Sequence, residues 1–210
     1  MKNKSLLSLL TRVCRSPSLR FRLSLYLGLI LNIFYLSGNI HSALAYRSLW
    51  SATVTIYHTI FIIIRLYLLS ADGDKEIPYI RSVCRRVGLF LLLLDLAAAV
   101  MMLYTVRSES FFRYSGVVLL AFFTYTVYSL SSSILGMKRY VNDKKPLHFV
   151  ARNITLAAAM MSLFNLQYSF LTSLGAGIAL TYKLITVCGF GVFLVIIILA
   201  VRLIVKTPEL

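Results

Sequence analysis

The chain has 210 residues, 59% of them hydrophobic and only 14% charged, with a mean hydropathy of +0.82. A soluble domain carries about 25% charged and 45–50% apolar residues, so a water-soluble globule is excluded. Disorder is excluded as well, because there is ample apolar surface to bury. The net charge of +15 would point to nucleic acid in a soluble protein. Here its placement gives a different account, set out below.

Residues 1–22 form a basic segment in which SLLSLLTRVC at 5–14 puts Leu6, Leu9, Leu10 and Val13 on one face. Ten residues are too few to cross a bilayer but suit an amphipathic helix lying in the interface. A crossing helix needs about 20 apolar residues for roughly 30 Å of hydrocarbon. Six stretches reach that length, at about 23–45, 49–70, 88–106, 115–136, 149–173 and 182–205, before a short tail at 206–210. The expected fold is all-α, a polytopic membrane domain of six transmembrane helices over 23–205. Ala43-Leu44-Ala45 imitates a signal-peptidase site. The cationic stretch of 22 residues before that run is long for a secretory signal, so the first span is expected to stay.

In the first span Gly28, Asn32, Tyr35 and Asn39 recur at steps of four, three and four, a single helical face. In the second, Ser51, Thr55, His58, Ile62 and Arg65 do the same. His58 has a ring that titrates near 6.5 when unperturbed, so it is chemically suited to relaying a proton. A bond to a neighbouring hydroxyl is the plainer reading. The third span holds Asp95, about seven residues or ~10 Å beyond its start at 88. A carboxylate at that depth is costly unless paired or protonated. Arg65 is its preferred partner and Arg152 the rival. Such a pair either locks two helices or leaves Asp95 as a protonatable or cation-binding group.

The fourth span carries Tyr125, Tyr128 and Ser132, and the fifth Arg152, Thr155, Ser162, Asn165, Ser169 and Thr172. Polar groups inside a span face the protein interior or a wet cavity. Together these stripes predict a semi-polar centre, serving either as a solute pathway or as glue between helices. The candidate pathway residues are Asp95, Arg65, His58, Asn32, Asn165 and Arg152.

With the N-terminus inside, 18 of the 22 Lys and Arg residues fall on the cytoplasmic side, leaving Arg47, Arg107, Arg113 and Lys183 outside. That bias predicts a multi-pass protein of the cytoplasmic membrane with both termini cytoplasmic. Its basic residues sit at helix ends, where anionic headgroups attract each by about 1 kcal/mol. Lipid contact thus explains the charge, and no nucleic-acid role is expected.

Enzyme constellations such as GxSxG, HExxH and the Walker A pattern are missing from the sequence, so no enzyme and no cofactor are predicted. Cys14, Cys84 and Cys188 have no paired spacing. His41, His58 and His148 form no visible ligand set, so no metal site is expected. Six helices divide naturally into three plus three, and an odd number per half would make a repeat inverted in topology, as in many secondary transporters.

RSLWSATVTIYHTIFIIIRLYLL at 47–69, FFTYTVYSL at 122–130 and RNITLAAAMMSLFNLQYSFL at 152–171 resemble a bacterial family of six-helix integral membrane proteins. The likeness runs loosely over 25–205 and is most specific at Arg152, Asn153, Ser162 and Gln167. Members carry an acidic residue where this chain has Ala158, which argues against a cation on the fifth helix here. A fainter resemblance is to the transmembrane part of cation diffusion facilitators, which bind metal through Asp and His on their second and fifth helices. This chain offers only His58 on the second and neither residue type on the fifth.

The expected function is that of a transporter-like protein moving an ion or small polar solute, with Asp95 and Arg65 gating and His58, Asn32 and Asn165 lining the route. The competing class is a non-transporting scaffold or regulator whose partner is another membrane protein or a second copy.

Overall fold

A computed structural model of the chain describes residues 17–71, 77–107, 114–139, 146–174 and 178–205. Six helices occupy them: α1 (Pro17–Tyr46), α2 (Leu49–Ala71), α3 (Ile77–Arg107), α4 (Gly116–Arg139), α5 (Pro146–Leu174) and α6 (Ile178–Val205). Each contains an apolar stretch of 21 to 27 residues, long enough to cross a bilayer. The chain is an all-α, multi-pass integral membrane protein. The amphipathic segment expected at 5–14 lies outside the described residues.

Local sequence sets the helix ends. Pro17 and Pro146 open their helices, where a missing N–H goes unneeded. Ser48 caps α2, its Oγ accepting from the Ser51 N–H at 3.2 Å. Ser115 does the same for α4 through the Val118 N–H. The α1–α2 turn is tight, and Arg47 takes a left-handed φ of 47° to make it.

The third helix differs from expectation. Arg81, Arg85 and Arg86 interrupt the apolar run ahead of the span expected at 88–106, yet residues 77–87 form the first turns of α3. The three arginines are exposed while Val83, Cys84 and Val87 are buried. That is one amphipathic face. Charge removes such a segment from hydrocarbon without breaking the helix, because long side chains reach out to the headgroup layer.

The exterior is apolar, with Phe34, Val117 and Phe190 each more than two-thirds exposed. The interior mixes aromatic rings with buried Asn, Ser and Thr. α5 is the central helix, packed on α2, α3, α4 and α6. Ala157, Ala158 and Ala159 are fully buried on it, small enough to let neighbours approach closely.

The packing has the pattern of an inverted repeat. α1–α2 and α2–α3 contacts are matched by α4–α5 and α5–α6, and counterparts pair as α1–α4, α2–α5 and α3–α6. Within the α3–α6 pair, Gly88 faces Ala200, Leu203 and Ile204, while Gly189 faces Met102 and Phe164. Gly88 and Gly189 lie 101 positions apart, as do Met102 and Leu203. The two crossings are therefore the same contact seen from opposite ends. An α3–α5 contact is the departure from this symmetry.

Candidate functional site: a buried polar column

Three-four spacing brings Asn32, Tyr35 and Asn39 to one face of α1, and all three are buried. Asn32 Oδ1 accepts from the Tyr125 hydroxyl at 2.7 Å and lies 2.7 Å from His58 Nδ1. An amide oxygen only accepts, so Nδ1 carries the proton there, and Nε2 is the acceptor of the neutral ring. One atom thereby joins α1, α2 and α4.

A second cluster lies toward the α1–α2 turn. The Trp50 indole donates to Asn165 Oδ1 at 2.9 Å. Asn165 Nδ2 donates to the Tyr35 hydroxyl at 2.6 Å and to Asn39 Oδ1 at 3.3 Å. Asn39 in turn donates to the Tyr35 carbonyl. Tyr35 links the clusters, stacking on Tyr125 with centroids 4.1 Å apart and lying 4.5 Å from the His58 ring. At the turn itself, Ser51 Oγ meets the Tyr114 hydroxyl at 3.0 Å, and the Tyr114 N–H donates to Ser173 Oγ.

Arg65 closes the column at its other end. Its guanidinium packs directly on Gly28 of α1, in space that a Cβ would occupy. It lies within electrostatic reach of Tyr125, Tyr128 and His58. From Ser51 to Arg65 the column covers about 21 Å along α2, two-thirds of a hydrocarbon core.

The structure thus brings together Asn32, His58, Asn165 and Arg65, and it places Asp95 and Arg152 elsewhere. The expected Arg65–Asp95 ion pair is not formed. No carboxylate lies within 4 Å of Arg65 among the described residues, and Arg65 Nε and Asp95 Oδ1 are both buried without a hydrogen-bond partner. Asp95 lies within electrostatic reach of Tyr57 instead, with no hydrogen bond between them. Tyr57 lies two turns from Arg65 on α2, about 12 Å along the axis. Both ionisable groups are buried, but at different depths. Arg152 is half-buried toward the helix ends, over the Phe149 ring at 5.5 Å and near Arg202.

Trp50 and Tyr114 were not among the expected residues. A tryptophan at the end of a span reads as a membrane-interface anchor, and nothing in its spacing distinguishes that from the buried donor it is. Tyr35, Asn39 and Tyr125 were visible in the stripes. Among the described residues no three His, Cys, Asp or Glu side chains gather as a metal site. A cavity of about 540 Å³ lies outside the column, between α4 and α5, lined by Gln167 and apolar residues such as Leu119, Phe123 and Phe170.

Comparison with protein-family models, with curated proteins and with solved structures gave no match.

Proposed function

We propose that the protein moves a small ion or polar solute across the cytoplasmic membrane along this column, with both termini on the cytoplasmic side. The observation that carries the reading is the surplus of unpartnered groups within the column. Asn32 Nδ2, His58 Nε2 and Arg65 Nε are all buried without a hydrogen-bond partner. Glue between helices is made of donors matched to acceptors, and each buried polar group left over costs about 1–3 kcal/mol. A route for a polar solute needs groups that bind in transit, and spare valences along one line supply them. Asn32, His58, Asn165 and Arg65 line the route on this reading. The orientation rests on the Lys and Arg bias.

The test is flux through the purified protein in proteoliposomes, with protons, alkali cations, chloride and formate as the panel. Wild type is compared with Asn32→Leu and with the lipid-facing control Leu93→Ala. Flux of one solute that survives Leu93→Ala and is lost in folded Asn32→Leu is the expected result. Equal flux in all three, or none from any solute of the panel, contradicts the reading.

A further inference from the structure

We propose that Arg65 forms a binding site for a small monovalent anion, a halide or a carboxylate, taken from water. The inference rests on the column being a route and names the class of solute that uses it. Arg65 is 4% exposed, and its guanidinium stays charged at any physiological pH. A buried cation is held in a protein by a partner of opposite sign, because its desolvation otherwise goes uncompensated. No carboxylate within 4 Å supplies one among the described residues, and Asp95, the acidic residue of the described helices, makes no ion pair with it and lies within reach of Tyr57.

The surroundings of Arg65 are built for an anion. Gly28 lets the guanidinium lie against the α1 backbone, and any side chain there would displace it. The spare hydrogen-bond donors are Arg65 Nε and, one turn along the same face of α1, Asn32 Nδ2. Tyr128 brings a phenol hydroxyl from α4 within electrostatic reach, and a hydroxyl can donate to an anion, whereas the Tyr125 proton is already given to Asn32 Oδ1. A cation would meet a fixed positive charge at this point of the column. An anion meets that charge and two unused donor nitrogens, and among the described residues no carboxylate within 4 Å competes for it.

The experiment is thermal unfolding of the purified full-length protein in maltoside micelles, followed through the fluorescence of Trp50. Sodium formate or chloride replaces gluconate, a much bulkier anion, at constant ionic strength. The wild-type midpoint should rise saturably, by at least about 3 °C, while Arg65→Gln should not respond to either anion. Should Arg65→Gln fail to fold, Gly28→Ala replaces it. That change keeps the charge but moves the guanidinium, and it should shift the response to at least tenfold higher anion concentration. A wild type indifferent to both anions overturns the proposal, as does a variant that responds like wild type. A midpoint that rises with added phosphatidylglycerol but not with formate or chloride also overturns it, in favour of a lipid headgroup. Saturable binding without flux in proteoliposomes would keep the anion site and remove the transport reading, so the two fail separately.

Discussion

Asn32 receives two bonds on one oxygen, from His58 and from Tyr125. Asn32→Leu should therefore strand two buried donors at once and lower stability by about 2–4 kcal/mol. Unfolding followed through Trp50, the single tryptophan of the chain, measures this. Asp95 predicts the opposite behaviour. Since it has no ion pair with Arg65, Asp95→Asn should fold as stably as wild type or more so. Loss of a real partner at that depth would cost about 3–5 kcal/mol, and the same unfolding assay separates the outcomes. The polar faces of α1 and α2 were legible because a period of 3.6 needs no partner to be seen. The choice of partner was not. Sequence spacing placed Arg65 and Asp95 at similar depth, and only the packing of α3 against α2 shows Asp95 within reach of Tyr57, two turns from Arg65.

At the level of helices, the close crossing of α3 and α6 turns on two glycines. A Cβ at Gly88 would come within 2.9 Å of the Ala200 carbonyl oxygen and 2.7 Å of Ile204 Cγ1. Backbone cannot step aside, so Gly88→Ala should force the helices apart at about 1–3 kcal/mol. At Gly189 the added methyl meets Met102 Sδ and the tip of the Phe164 ring. A thioether adapts readily, so Gly189→Ala should cost clearly less than Gly88→Ala in detergent unfolding. Equal costs would mean that the two crossings are tighter or looser than they stand here. The sequence located all six spans, because twenty apolar residues in a row have few other uses. It hid the first turns of α3, where arginines interrupt the apolar run but not the helix. It also hid which glycines matter, since a close approach is a property of two helices and neither sequence alone carries it.

Across the whole molecule, the column is built by α1 and α2 together with their counterparts α4 and α5, while α3 and α6 pair beside it. In transporters with inverted repeats, the solute site lies where the repeats meet, and one half rocks against the other to open it to each side in turn. The three-plus-three division was visible in the helix count, whereas the pairing of counterparts and the matched glycine crossings are properties of the packed helices. The central claim, that water and solute enter the column, is tested most directly by cysteine accessibility. In a chain with Cys14, Cys84 and Cys188 replaced, single cysteines are placed at Ser51 and His58 in the column and at Phe34 and Leu93 on the lipid face. A small charged thiol reagent reacts only where water reaches. Reaction at Ser51 and His58 with protection at Phe34 and Leu93 is the predicted result. A folded protein whose cysteine at His58 stays inert to reagent from both sides of the membrane would contradict it, making the column a dry seam between helices.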